Sequence, residues 1–192
     1  MYDDKIIEAI KDLLLAQHQT IAVAESVTAG HLQVALASAE NASKFFQGGI
    51  TAYNLGQKAR HLNVEPIHAE SCNSVSDKIA SQMALNVIRM FASDWGIGIT
   101  GYAAPVPECS VDEPFAYYAI AFKRDLLWVE KIETRQDDPI RVQALFVNAV
   151  LKDFNALAKR AEVQSSFSSS DLNSINSKFA SAGPLSTSPS ME

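Results

Sequence analysis

The order in which helix and strand patterns alternate along the chain most constrains the fold. Amphipathic helical patterns alternate with short apolar strand patterns as far as a buried strand at Trp95–Thr100. Two strand patterns then follow directly, Phe115–Phe122 and Leu126–Thr134, with Arg124 and Asp125 at the hairpin position. Alternation favours parallel strands, whereas a hairpin adds antiparallel ones. We therefore predict one layered α/β domain, with a mixed β-sheet flanked by helices.

Capping residues locate several of the predicted helices. Asp3 or Asp4 can cap the first helix, Ser76 the fourth, and Asp137 or Asp138 the last. The predicted helices span about residues 4–17, 28–39, 57–62, 76–91 and 138–159, and the early strands span 20–24 and 48–54.

A change in composition divides the chain. Residues 1–162 have ordinary globular composition, whereas Ser165 to Ser190 contain eleven serines and few bulky apolar residues. Such a segment buries too little surface to offset its ordering entropy. We predict a folded domain over residues 1–162 and a disordered, serine-rich tail over residues 163–192.

Charge and composition exclude several classes of protein. The net charge of −6, without a basic run, argues against a nucleic-acid partner. No stretch is apolar enough for a membrane span, and the acidic start does not resemble a secretory signal. Cys72 and Cys109 are expected to be free thiols, as in a cytoplasmic protein. The four histidines lack ligand spacing, so we expect no metal site.

The first candidate site is the segment Ala24–Gly30, at the end of the first predicted strand. Ligands of open α/β sheets bind outside the carboxyl ends of strands, where a following helix offers free N–H groups. Ser26 there could act as a nucleophile beside donors for an oxyanion. Taken alone, the segment favours a simpler interpretation, in which Ser26 or Thr28 only caps the helix.

Two later segments could complete such a site. Tyr53 ends the second strand, and Lys58 lies in the short helix that follows. A buried lysine can deprotonate a serine, and a tyrosine hydroxyl can assist the proton transfer. The third segment, Thr100–Pro105, ends a strand in Thr-Gly and could line a site or form a simple turn.

Together these segments resemble the C-terminal domain of the CinA family, whose members deamidate nicotinamide mononucleotide. The matching segments are Ala24–Gly30, Gly49–Lys58, Ser74–Ala84 and Thr100–Pro105, and the resemblance covers about residues 5–158. It implies a small-molecule nucleotide substrate, no cofactor and possible self-association into a homo-oligomer.

The resemblance also implies roles for individual residues. Ser26 would attack the carboxamide carbon, Lys58 would take the serine proton, and Tyr53 would assist. Binding residues would hold the oxyanion and line the nucleotide pocket; they are Thr28, Gly30, Thr100, Gly101 and Ala103.

Departures from the family pattern leave two alternatives open. Ala29 and Ala104 replace glycines, and residues 106–112 replace a glycine-rich stretch. The chain could therefore be a catalytically silent relative that binds a nucleotide or a protein partner, or a hydrolase of a different amide.

Overall fold

The structure is a computed structural model of the chain. It describes residues 2–136 and 138–180, with side chains described as far as residue 161. Contacts divide the chain into two compact units, residues 1–155 and residues 156–192. The first unit holds the whole β-sheet, and the second begins within the last helix.

The first unit is built on one five-stranded mixed sheet, as predicted. The strand order is β2-β1-β3-β4-β5. β1 lies parallel to β2 and β3, whereas β4 is antiparallel to both β3 and β5. The strands are β1 (Ile21–Glu25), β2 (Phe46–Thr51), β3 (Trp95–Tyr102), β4 (Phe115–Phe122) and β5 (Asp125–Glu133).

Six α-helices accompany the sheet in the described part of the chain. The Asp3 side chain caps the first one, and the Ser76 hydroxyl caps the fifth, both as predicted. The helices are α1 (Asp4–Ala16), α2 (His31–Ala37), α3 (Leu55–Leu62), α4 (Pro66–Ser71), α5 (Asp77–Phe91) and α6 (Pro139–Ala180). None of the helices in this part of the chain combines the length and the apolar character that a bilayer span requires.

Close packing of α5 on the sheet fixes the position of the strands beside the site. A Cβ atom on Gly98 would lie 2.4 Å from the Ala80 carbonyl oxygen, and one on Gly96 would lie 2.2 Å from that of Ala84. The two glycines of β3 therefore let the helix backbone approach the strand directly. Next to this contact, Met83 and Val87 of α5 belong to a fully buried apolar cluster.

Helix α2 begins three residues later than predicted. Ala29 and Gly30 have φ angles of +50° and +104°, so the segment after Ser26 forms a turn before the helix begins at His31. The left-handed conformation of two successive residues cannot continue an α-helix.

The sequence prediction missed α4, although its start is well marked. The Glu65 carboxylate accepts hydrogen bonds from the amides of Ile67 and His68, and Pro66 occupies the first helical position. A glutamate is an unusual cap, and the helix has only six residues, which explains why periodicity did not indicate it.

Helix α6 is longer than the predicted end near Lys159. It continues to Ala180, because no glycine or proline interrupts residues 140–180 and serine is tolerated within helices. Residues 181–192 lie outside the described residues. The division at residue 162 and the disorder of residues 163–192 stay predictions.

Candidate active site

A cleft of about 710 Å³ lies where β1 and β3 end, and it brings together the three segments singled out from the sequence. Five of the eight predicted site residues line it: Ser26, Tyr53, Lys58, Gly101 and Ala103. The position agrees with the rule that ligands of open α/β sheets bind outside the carboxyl ends of strands.

Ser26 is the first residue after β1 and is only 5% exposed. Its backbone N–H donates to the Ile99 carbonyl of β3, at 3.0 Å, so this amide is not available to a ligand. The amides of the next two residues, Val27 and Thr28, have no acceptor among the described residues. The serine hydroxyl therefore lies beside two unused main-chain donors.

Glu25 takes the capping role that the sequence assigned to Ser26 or Thr28. Its buried carboxylate accepts hydrogen bonds from the backbone amides of Gly30, Leu32 and Gln33, at 2.9 to 3.2 Å. The interpretation of Ser26 or Thr28 as the cap of α2 is therefore wrong. Because the adjacent carboxylate satisfies the helix terminus, the serine hydroxyl remains available for chemistry.

Lys58 is buried to 2% exposure, which is rare for a lysine. The Asn54 side chain caps α3 through the Gln57 amide, and this start places Lys58 and Leu62 on the same inward face. Burial lowers the pKa of Lys58 to about 8, and the nearby Cys72 thiol opposes part of that shift. A substantial fraction of this amine is therefore neutral near physiological pH.

One carbonyl oxygen connects the two groups. The Lys58 ammonium donates to the Tyr53 carbonyl oxygen at 3.1 Å, and the Ser26 hydroxyl donates to the same oxygen at 3.5 Å. The segment after β2 is held there because the Ala52 amide donates to the Glu25 carbonyl, at 2.8 Å. Ser26 and Lys58 thus lie within two hydrogen-bond lengths of each other.

Tyr53 bonds Ser26 and Lys58 through its main-chain carbonyl oxygen, not through its hydroxyl. Tyr53 is 75% exposed at the edge of the cleft, and its hydroxyl forms no hydrogen bond with Ser26 or Lys58 in the described part of the chain. The sequence argument concerned the hydroxyl, whose assistance in proton transfer stays a prediction.

Thr28, Gly30 and Thr100 do not line the cleft. Thr28 is fully buried, and its hydroxyl has no hydrogen-bond partner among the described residues. The Gly30 amide donates to Glu25. The Thr100 hydroxyl donates to the Ser74 carbonyl at 2.8 Å. The side chains of these two threonines thus lie in the layer behind the cleft.

Gly101 and Ala103 line the cleft from the segment that ends β3. A Cβ atom on Gly101 would lie 2.2 Å from the Phe115 carbonyl oxygen, so only glycine fits between β3 and β4. Gly101 therefore allows β3 and β4 to stay paired up to the wall of the cleft.

Sequence reasoning missed several polar residues of the cleft. The Gln143 side chain, in the second turn of α6, donates to the Val27 carbonyl at 2.8 Å and so holds the turn after Ser26. The Asn73 side chain donates to the Tyr102 hydroxyl at 2.9 Å across the cleft wall. Both residues are far from Ser26 in the sequence, and no local pattern marked them.

The described residues contain no group of three or more His, Cys, Asp or Glu side chains arranged to hold a metal ion. Cys72 and Cys109 are free thiols, as predicted.

Comparison with known proteins identifies the family. The model of the CinA C-terminal domain matches residues 3–158. A CinA-like protein from Picosynechococcus sp. is 42% identical over 113 residues, which are 59% of this chain and 27% of that protein. A CinA-like protein from Rippkaea orientalis is 40% identical over 103 residues, 54% of this chain and 25% of that protein. The chain thus spans about a quarter of the length of these relatives.

Solved structures support the same assignment. A competence-damaged protein (CinA) superfamily protein from Escherichia coli is 29% identical, with a TM-score of 0.70 over 80% of this chain and 87% of that one. A CinA superfamily protein from Klebsiella pneumoniae, at 21% identity and a TM-score of 0.72, covers 81% of this chain and 97% of that one and shows the same fold. Because the family model matches most of the sequence, the chain belongs to the CinA C-terminal domain family.

Proposed function

We propose that this protein is an amidohydrolase that converts nicotinamide mononucleotide to nicotinic acid mononucleotide and ammonia, with Ser26 as nucleophile and Lys58 as base. The observation that carries the proposal is the convergence of the Ser26 hydroxyl and the buried Lys58 amine on the Tyr53 carbonyl oxygen. The substrate is the one that resemblance to the CinA family implies.

The pKa of Lys58 supports its role as base. A lysine at its ordinary pKa is almost fully protonated at neutral pH and cannot accept a proton from a hydroxyl. With a pKa of about 8, the neutral amine is present in useful amounts, and the protonated form can return the proton to a leaving group.

The proposed reaction has two halves. The Ser26 oxygen attacks the carboxamide carbon while its proton passes to Lys58. The resulting tetrahedral intermediate breaks its C–N bond, and the proton from Lys58 accompanies the departing ammonia. Water then attacks the acyl ester and gives one proton to Lys58, which passes it to the Ser26 oxygen as the ester bond breaks. The product is released as the carboxylic acid and loses its remaining proton to the solvent. The unused amide of Val27, a residue that lines the cleft, would stabilise the oxyanion.

Ammonia release from nicotinamide mononucleotide tests this proposal. We expect Ser26→Ala to lower kcat by about 10³-fold or more and Lys58→Gln by about 10²-fold or more. The matched controls are Ser43→Ala and Lys44→Gln, which change the same residue types at exposed positions outside the cleft and should retain activity.

Absence of turnover by folded wild-type protein would overturn the proposal. Turnover that survives Ser26→Ala would overturn the assignment of the nucleophile. If the nucleotide binds without being hydrolysed, the silent alternative gains support. The alternative rests on Ala104 and Val106, which line the cleft at positions that depart from the family pattern.

A further inference from the structure

A second cavity, also of about 710 Å³, lies at the opposite end of the sheet from the cleft. Ser93, just before β3, lines this cavity, whereas Gly101 and Tyr102, at the end of β3, line the cleft. Strand β3 has eight residues, so the two sites are separated by roughly 26 Å at 3.3 Å per residue. The volume is within the range of small-molecule sites.

The cavity is strongly positive in a chain that is acidic overall. Arg89, Lys123 and Arg124 line it, and no carboxylate side chain does. None of the three forms an ion pair within the described residues. Asp94, the nearby carboxylate before β3, is engaged by the amide and hydroxyl of Thr20. The Lys123 ammonium lies 5.0 Å from the centroid of the Phe122 ring. Three exposed cations without ion-pair partners among the described residues therefore line one cavity, an arrangement that favours an anionic ligand.

Two of these cations are held on a rigid turn. Phe122 pairs with Asp125, so Lys123 and Arg124 form a two-residue hairpin loop between β4 and β5. The Lys123 amide donates to the Asp94 carbonyl at 2.7 Å, and its φ of +55° is uncommon for a residue other than glycine. The favoured two-residue hairpin turns require a positive φ at their first residue, so the hairpin accounts for this conformation and fixes where Lys123 and Arg124 begin.

The helix wall of the cavity offers neutral recognition groups. Gln82 Oε1 accepts from the Glu65 amide at 3.1 Å, and Asn86 Nδ2 donates to the Gln82 carbonyl at 2.8 Å. Within the described residues, the Gln82 side-chain N–H groups and the Asn86 side-chain oxygen remain without partners. The free donor and acceptor lie one helical turn apart and suit the edge of a nucleobase. Leu85 and Ile88 supply apolar surface beside them.

We propose that this cavity binds a nucleoside diphosphate. Arg89, Lys123 and Arg124 hold the phosphates, whose negative charge at neutral pH they match, and Gln82 and Asn86 contact the base. Arginine is suited to bidentate contacts with phosphate oxygens. The site is separate from the cleft and does not depend on the reaction proposed there.

Calorimetric titration of the full chain with ADP tests the proposal. We expect Lys123→Gln combined with Arg124→Gln to weaken ADP binding at least tenfold. The matched control, Lys44→Gln combined with Arg135→Gln, removes two exposed cations elsewhere and should leave the affinity unchanged. Thermal melting of each variant establishes that it is folded.

Further titrations separate the parts of the ligand. Inorganic pyrophosphate should bind to the wild-type chain more weakly than ADP does, and its affinity should also fall in the Lys123→Gln, Arg124→Gln variant. The substitution Asn86→Leu should weaken ADP binding and leave pyrophosphate binding unchanged. Absence of ADP binding, or equal losses in the cavity and control variants, would overturn the proposal. Pyrophosphate binding as tightly as ADP would overturn the assignment of a nucleoside.

Discussion

At the scale of single residues, the site depends on the unusual burial of one amine. Burial lowers the pKa of Lys58 from an ordinary value of 10.5 to about 8, so folding favours the neutral form. Between these two values the unfolded chain binds more protons than the folded chain, and stability therefore rises with pH. Below about pH 8, the full cost of burying the charge remains.

The free-energy cost of burying the charged Lys58 amine predicts that an apolar side chain at this position stabilises the protein. We expect Lys58→Met to raise the free energy of unfolding at pH 7 by about 2 kcal/mol, since one pKa unit corresponds to about 1.4 kcal/mol and the hydrogen bond to Tyr53 is lost. Denaturant unfolding measures this difference, which should shrink as pH rises from 8 toward 10.5. A variant less stable than wild type across that range would contradict the argument.

The same pKa determines the expected pH profile of activity. If neutral Lys58 accepts the serine proton, kcat/KM should rise with pH through about 8, because protonation inactivates the base. A flat profile between pH 6.5 and 9 would exclude Lys58 from that role.

The sequence could place this lysine after a strand, but its burial depends on which face of α3 meets the core.

At the scale of elements, the contact between α5 and β3 holds the end of the sheet that carries the site. The contact is possible because Gly98 lets the backbone of α5 approach, with atoms of Ala80, Met83 and Ala84 within 3 Å of any added Cβ. Shifting either element would also displace Gly101 in the wall of the cleft.

We therefore expect Gly98→Ala to lower the free energy of unfolding by about 2 kcal/mol or more, as overpacked cores do. The control is Gly56→Ala in α3, where the nearest atom lies 3.5 Å away and alanine should leave stability unchanged or raise it slightly. Chemical denaturation of both variants tests the comparison, and similar stabilities would show that the packing argument fails.

The element pattern was largely readable from the sequence. Apolar periodicity and caps indicated α1, α5 and the start of α6, because each has a long inward face or a strong capping side chain. Periodicity did not indicate α4 or the late start of α2, since these depend on a glutamate cap and on the tight turn at Ala29. Gln143 was missed because only the tertiary fold brings it to Val27.

At the scale of the whole molecule, the family match ends at residue 158, and the sheet lies within residues 1–155. The apolar residues of the sheet core are therefore already present in the first unit. The serine-rich segment beyond residue 162 contributes few apolar groups.

We expect a chain ending at residue 162 to melt within about 2 °C of the full chain and to keep its activity, because the sequence of the removed residues holds few bulky apolar groups. Calorimetry of the two chains, with the ammonia assay on both, measures this. A drop of more than about 8 °C would assign a structural role to residues 163–192 and would contradict the predicted division at residue 162.

The mixed direction of the sheet has a consequence for the order of folding. β4 and β5 pair across a two-residue loop, whereas β1, β2 and β3 pair only after segments distant in the chain meet. Local pairing is fast, and loop closure slows the distant contacts. Ser26, Tyr53 and Gly101 all follow or end strands of the slow half, so we expect catalytic competence to be acquired late, after the hairpin has formed.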